Sequence, residues 1–325
     1  MSAAMPLVTV VVPTHNRCAL LARLLDSLAK QSLAPAQFEV VIVHNFTDDG
    51  TEAMASNWCA GQSFRAKYLR RSNRGPARSR DMGAREGRGR FIAFIDDDCV
   101  ASATWLAEGI AAFGGDDAAP QVGVVQGMTL PMPGVPQRFP CKTVTVDRES
   151  VFFETCNIFY RREAFDAVGG FSEEFLDRFY GEDTDLGWKV TAAGYGHRFA
   201  PAALVNHEVF HVSFARWLAE PLFFENLPYL VKKHPALRAH MFHRLFVSRD
   251  SFLFNGLLAA IVIAPFFPIA ALVLAFVYAF ERYRGGAHVG GPMQRLGRVL
   301  VGVPRGFCAW WALAKGSLRA RSFLL

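Results

Sequence analysis

Three consecutive aspartates, Asp96, Asp97 and Asp98, end the apolar run Phe91-Ile92-Ala93-Phe94-Ile95. Carboxylates crowded at a strand's end repel one another unless a cation or a hydrogen-bonding ligand shares the site. Asp96 and Asp98 form an Asp-x-Asp pair whose hard oxygens suit Mg2+ or Mn2+, ions that retain waters and grip a diphosphate. Taken alone, the triplet also fits a solvated acidic turn after a buried strand, so its neighbours decide.

Three other segments carry polar groups at strand ends. Pro13-Thr14-His15-Asn16-Arg17 stops a strand and offers side chains for a base or phosphate pocket, or Thr14 or Asn16 as a helix cap. His44-Asn45-Phe46-Thr47-Asp48-Asp49-Gly50 contains an Asp-Gly turn pair. Asn73 to Asp81 opens a helix with Pro76 near its first position, which leaves backbone N–H groups and Arg78 for an anion.

The elements that position these segments follow from hydrophobic patterning. Apolar runs at Leu7–Val12, Phe38–Val43, Ala66–Leu69 and Phe91–Ile95 alternate with helical stretches near Cys18–Lys30, Thr51–Trp58 and Pro76–Arg88. Continuous apolar strands separated by helices predict an α/β fold whose mostly parallel sheet is covered on both faces. Ligands of such sheets sit at the carboxyl ends of the strands, where the polar segments converge.

The 325 residues suffice for one large domain or two modest ones. About half are hydrophobic, 51%, and the apolar excess concentrates in Phe252 to Phe280, which has no Asp, Glu, Lys, Arg or His and is long enough to cross a bilayer. Pro265 and Pro268 make it a kinked span or a re-entrant hairpin. Lys232, Lys233, Arg238, Arg244 and Arg249 precede it and Arg282, Arg284, Arg295 and Arg298 follow, which suits anionic lipid. Gly297 to Leu325 reads as an amphipathic interfacial helix or a second span. The expected organisation is a catalytic domain over 1–210, a helical connector over 211–250 and a membrane-associated segment over 251–325. The N-terminus lacks an export signal, and six scattered cysteines without C-x-x-C spacing predict reduced thiols in the cytosol. The net charge of +6 does not imply nucleic acid, because the basic stretch from Arg65 to Arg90 lacks interleaved aromatics.

In this order, Val10 to Arg17, Val43 to Thr51, Asn73 to Asp81 and Phe94 to Asp98 resemble the inverting glycosyltransferases of family 2, with a GT-A nucleotide-binding fold. The resemblance runs from Val8 to about His207. It implies a nucleotide-sugar donor held by Pro13, Thr14, Asn16, Arg17, Asn45, Arg78, Asp96 and Asp97. It also implies a Mg2+ or Mn2+ ion on Asp98, Asp96 and a histidine, His207 or the competing His211. The second loop departs from the family pattern, with His44 for a carboxylate and Phe46 for a glycine, and this leaves the donor base open.

Further along, Glu154 to Phe165 and Gly169 to Phe175 resemble the acceptor side, with Asn157 and Gly170 as contacts. Gly181 to Lys189 matches the segment that carries the catalytic base. Direct displacement at an anomeric carbon needs a carboxylate to take the acceptor hydroxyl's proton; Asp183 fits, with Glu182 tuning it and Asp185 on the acceptor. These acids also complement a helix dipole. Ser213-Phe214-Ala215-Arg216-Trp217 is similar to the Gln-x-x-Arg-Trp box of processive synthases, but serine replaces glutamine.

The expectation is a metal-dependent hexosyl- or deoxyhexosyltransferase acting on a glycan or lipid-linked acceptor at the cytoplasmic face of the plasma membrane, in cell-envelope polysaccharide synthesis. A non-catalytic nucleotide-sugar-binding scaffold and a nucleotidyltransferase remain as alternatives.

Overall fold

The computed structural model describes residues 5–72, 75–115, 121–176, 180–285 and 292–325. Asn73 and Arg74, at the head of the expected anion-binding segment, lie outside them. Two compact units divide between His211 and Val212.

The first unit runs β1 (Val8–Thr14), α1 (Cys18–Leu28), β2 (Phe38–Asn45), α2 (Thr51–Ala60), β3 (Arg65–Arg71), α3 (Pro76–Glu86), β4 (Phe91–Ile95), β5 (Cys99–Ala101), α4 (Trp105–Ala111), β6 (Val122–Pro131), β7 (Cys141–Lys142), β8 (Asn157–Arg161), α5 (Arg162–Ala167), α6 (Glu182–Ala192), β9 (Gly196–His207) and β10 (Phe210–His211). Eight strands form one sheet in the order β3-β2-β1-β4-β8-β6-β9-β5, and β7 pairs with β10. β1 to β4 run parallel, as the helices between them require. β8 is antiparallel to β4 and β6, β6 is parallel to β9, and the short β5 is antiparallel to β9.

Every residue of β1 and β4 is buried, which explains the wholly apolar β4 and the mostly apolar β1, whose Thr9 and Thr14 hydroxyls are hydrogen-bonded. Alternate side chains take opposite faces. Val8, Val10 and Val12 pack in one cluster with Leu21, Leu24, Leu25 and Leu28 of α1, whereas Val11 joins Ala77 and Ala84 of α3 on the other face. A small residue lets α3 lie close: a Cβ on Gly83 would stand 2.4 Å from Val11 Cγ1.

The second unit contains α7 (Phe214–Ala219), α8 (Leu227–Lys233), α9 (Arg249–Ile263), α10 (Pro268–Gly285) and α11 (Pro292–Ala320). The apolar run around 252–280 is thus two helices of 15 and 18 residues, broken where Pro265 and Pro268 interrupt the backbone hydrogen bonds. A single kinked span does not form. Among the described residues no helix, α11 included, is long and apolar enough to cross a membrane. In α7, Ser213 caps the first turn, accepting a hydrogen bond from Arg216 N at 3.2 Å. Trp217 packs beneath the Arg305 guanidinium, 4.3 Å from its ring centre.

Candidate active site

Strand register assembles the acidic site. β1 and β4 pair Val8 with Phe91 and Val11 with Phe94, so the residues just beyond meet at the sheet edge. There Thr14 Oγ1 donates to Asp97 Oδ2 at 2.8 Å. Arg17, at the N-terminus of α1, reaches Asp97 Oδ1 at 2.9 Å and Asp98 Oδ2 at 2.7 Å. Burial pushes the Asp97 carboxyl up to about 6; Arg17 opposes the shift and Asp98 adds to it.

A second register brings in the histidine. β5 and β9 pair Cys99 with His207, and Glu208 N donates to the Asp98 carbonyl at 2.9 Å. His207 Nε2 then lies 3.4 Å from Asp98 Oδ1. The other ring nitrogen, Nδ1, donates to the Glu208 carbonyl at 2.8 Å, which leaves Nε2 as the atom facing the carboxylate, the orientation of a metal-ligating imidazole. Ligand atoms of Asp98, Cys99 and His207 all lie within 4.8 Å of one another. Burial raises the Cys99 thiol well above its ordinary value, and its soft sulfur suits Mg2+ or Mn2+ less well than hard carboxylate oxygen. One carboxylate and one imidazole remain, a donor set that fits Mn2+ or Mg2+ with positions left for diphosphate and water oxygens. His211, the competing histidine, is exposed on β10.

Asp96 is engaged elsewhere. Its Oδ1 accepts from Arg80 Nη2 at 2.6 Å, and the same guanidinium reaches Glu182 Oε1 through Nη1 at 3.3 Å. Of the expected ligands Asp98, Asp96 and His207, the ligand atoms of Asp98 and His207 lie together and Asp96 is not in that cluster. Arg80 is buried, its Nε finds no partner among the described residues, and Asp96 and Glu182 hold its charge firmly against the desolvation that opposes it. It joins the aspartate triplet to the acidic segment at the start of α6. The expected anion-binding arginine, Arg78, lines a surface pocket with Arg71, Asp81 and Arg85 instead. One pattern marks Arg80 in the sequence: Ala77, Arg80 and Ala84 share the buried face of α3, and a buried arginine needs carboxylates.

At α6, Tyr180 and Gly181 both have positive φ, 114° and 103°; for tyrosine this is strained backbone of the kind that gathers at active sites. Glu182 is buried between Arg80 and the Tyr180 N–H, which it accepts at 3.1 Å. Asp183 is less enclosed, with Oδ1 accepting from Thr184 N at 2.8 Å. Burial, then Glu182 and Glu154, raise its carboxyl well above the ordinary range, with Arg80 opposing. Such a carboxylate is a stronger base than a solvated one.

Other expected contacts serve the scaffold. Asn157 is buried, donates to the Met128 and Ala203 carbonyls at 2.8 and 2.9 Å, and accepts from Trp105 Nε1 at 2.8 Å. It braces strands rather than facing an acceptor. Asp185 is fully buried and accepts from the Ser172 hydroxyl. Gly170, at φ 69°, packs against Asp81 and Phe165, where a Cβ would clash. In the second loop His44 is buried. Thr47 N donates to its Nε2 at 3.2 Å, so Nδ1 carries the proton toward the Tyr68 hydroxyl at 2.8 Å. Burial lowers its pKa, so it is a neutral bracing group. Asn16 adopts φ 53° and donates its N–H to Thr47 Oγ1 at 3.1 Å. The Asn45 carbonyl accepts from His15 Nδ1 at 2.8 Å. Phe46 is partly exposed under the Arg70 guanidinium, 3.6 Å from its ring centre. Pro13 is buried within β1.

The family model described as "Glycosyl transferase family 2" matches residues 9–169, and "Glycosyl transferase family group 2" matches 91–281. Among curated relatives, "Glycosyltransferase AglE" of Haloferax volcanii is 26% identical over 64% of this chain and 68% of its own length. "Validoxylamine A glucosyltransferase" of Streptomyces hygroscopicus subsp. limoneus is 28% identical over 73% of this chain but only 59% of its own length. Two solved structures share the fold. The mannosyltransferase PcManGT from Pyrobaculum calidifontis, in complex with GDP-Man and Mn2+, has a TM-score of 0.56 and 15% identity, covering 95% of this chain and 88% of its own. S. aureus TarS 1-349 in complex with UDP-GlcNAc has a TM-score of 0.54 and 20% identity, covering 97% and 92%.

Proposed function

The chain belongs to glycosyltransferase family 2, and on that premise we propose that it transfers one sugar from a nucleotide-diphosphate donor to an acceptor hydroxyl with inversion at the anomeric carbon. The observation that carries this reading is the buried guanidinium of Arg80 between Asp96 and Glu182, which ties the aspartate triplet to the segment bearing Asp183. A leaving group can be held on one side and a nucleophile deprotonated on the other.

Each residue then has a task. Asp98 and His207 would hold a divalent cation, Mg2+ or Mn2+, which when bound would supply positive charge for the departing diphosphate. Thr14 and Arg17 fix Asp97 and Asp98 at the donor end, and Arg17 keeps positive charge there. Asp183 takes the acceptor hydroxyl's proton as attack proceeds, and direct displacement from the face opposite the nucleotide gives inversion. Donors of the kinds carried by the two structural relatives, GDP-Man and UDP-GlcNAc, suit this chemistry. The exposed Phe46–Arg70 stack, where the family pattern has glycine, offers a flat surface for the donor base.

The acceptor is a glycan or lipid-linked saccharide of the cell envelope, and the apolar second unit supports that class. The scattered cysteines, without C-x-x-C spacing, suit work at the cytoplasmic face of the plasma membrane, where thiols stay reduced.

The test is a screen of nucleotide-sugar donors with Mn2+ or Mg2+, reading donor hydrolysis and transfer for wild type, Asp98→Ala and Asp183→Asn. Hydrolysis of one donor by wild type, with both variants impaired and Asp183→Asn still binding donor, supports the proposal. No donor bound or turned over ends it, and unchanged turnover in the variants refutes the residue roles.

A further inference from the structure

The helices of the second unit carry an inference independent of the transfer chemistry. α9 and α10 form an antiparallel hairpin, because the start of one is ion-paired to the end of the other: Arg249 with Glu281 at 3.1 Å, and Asp250 with Arg282 at 2.5 Å. Between these pairs, from Ser251 to Phe280, there is no Asp, Glu, Lys, Arg or His. All the charge of the hairpin is at its root.

The tip is the opposite. Residues 264–270, Ala-Pro-Phe-Phe-Pro-Ile-Ala, are exposed without interruption, with Phe266 78% and Ile269 78% accessible. A partner protein covers one face of a helix; seven consecutive exposed apolar residues present every face at once, which an apolar medium surrounding the tip satisfies. On α10 the exposed row Ile269, Leu272, Val273, Phe276 and Phe280 continues toward the root.

Length and charge define the medium. At 1.5 Å per residue α9 and α10 reach about 22 and 27 Å, less than the roughly 30 Å hydrocarbon core of a bilayer, and the chain turns back at the tip. From Arg282 to the C-terminus there are eight Lys or Arg and no Asp or Glu, a composition drawn to anionic headgroups. We propose that the α9–α10 hairpin embeds in one leaflet of an anionic bilayer, with its ion-paired root at the headgroups.

The full chain is tested by co-sedimentation with vesicles of phosphatidylcholine, with and without phosphatidylglycerol. Wild type pellets with the anionic vesicles, more weakly with neutral ones, and is released by detergent but not by high salt. The pair Phe266→Asp and Phe267→Asp, at a tip that supports no core, lowers the bound fraction about tenfold or more and leaves donor hydrolysis in solution unchanged. With p-benzoylphenylalanine placed at Phe267, irradiation crosslinks the chain to phospholipid. Failure to pellet, pelleting unaffected by the double substitution, or crosslinks only to a second copy of the chain would each overturn the proposal. Donor hydrolysis is read separately, so this failure is distinct from failure of the transfer reading.

Discussion

The two units handle unfavourable groups in opposite ways. The first buries charge: Asp97, Asp98, Glu182 and Arg80 are withdrawn from solvent, and each finds an ion-pair partner at the carboxyl edge of the sheet. The second exposes oil. Of the large hydrophobic side chains exposed among the described residues, four belong to the first unit, Met5, Phe46, Met82 and Phe139, and twenty-three to the second. Buried charge is retained where it acts on a substrate, since apolar replacements would often be as stable. Exposed apolar surface is retained where something outside the chain covers it. The contrast separates a region built for chemistry from one built for contact.

The sharpest way to break the contrast is through the base. Asp183→Asn is expected to lower transfer by roughly 100- to 10,000-fold while donor binding, measured by calorimetry, persists; a small loss would return the α6 acids to a purely structural role. Next is the same side-chain type in both units. Phe159→Ala, in the first unit's core, should cost about 3–5 kcal/mol in denaturant unfolding, whereas Phe267→Ser, at the exposed tip, should leave the unfolding midpoint in place. Arg80→Met strands the buried Glu182 and the half-buried Asp96, and a loss of about 3–5 kcal/mol is expected, along with a change in the pH profile of transfer that a packing defect alone would not give.

A smaller effect concerns pH. The folded-state pKa of Asp183 is raised, so the folded protein holds this proton where the unfolded chain has released it. Its contribution to stability therefore falls as pH rises above about 4, the ordinary aspartate value. Transfer should climb only at the upper end of that window, as pH passes the raised folded-state value, because the base works only when deprotonated. Parallel thermal-melt and rate profiles check that the two move in opposite directions, and that Asp183→Asn flattens this part of both. Least of all, Ser213→Ala, which removes the α7 cap, is expected to cost about 1 kcal/mol.

Much of this was legible in the residues. Unbroken apolar runs at β1, β2 and β4 announced a sheet covered on both faces, and the acids and turns at their ends announced the crevice. The harder residues depended on facing and register. Arg78 and Arg80 are equivalent by composition, and only the helical phase that puts Arg80 beside Ala77 and Ala84 separates them. Asn157 reads as a polar residue near the acceptor segment, but its partners, Met128, Ala203 and Trp105, come from three distant segments. His44 likewise becomes a brace only because Tyr68 lies beside it on the neighbouring strand. In the second unit the two prolines signalled an interruption, and the register of ion pairs at the hairpin root could not be read from one strand of sequence.

The pairing of Cys99 with His207 has a further consequence for assembly. It joins segments more than a hundred residues apart in the chain, through a strand of only three residues. Asp98 and His207 become neighbours only once that long loop has closed, so an ion that grips both can bind the finished sheet and not the open chain. Mn2+ would then act as a latch on the β5 edge of the sheet, adding about 2.7 kcal/mol at a hundredfold excess over its dissociation constant. Its signature is a rise in melting temperature with added Mn2+ that disappears in His207→Ala.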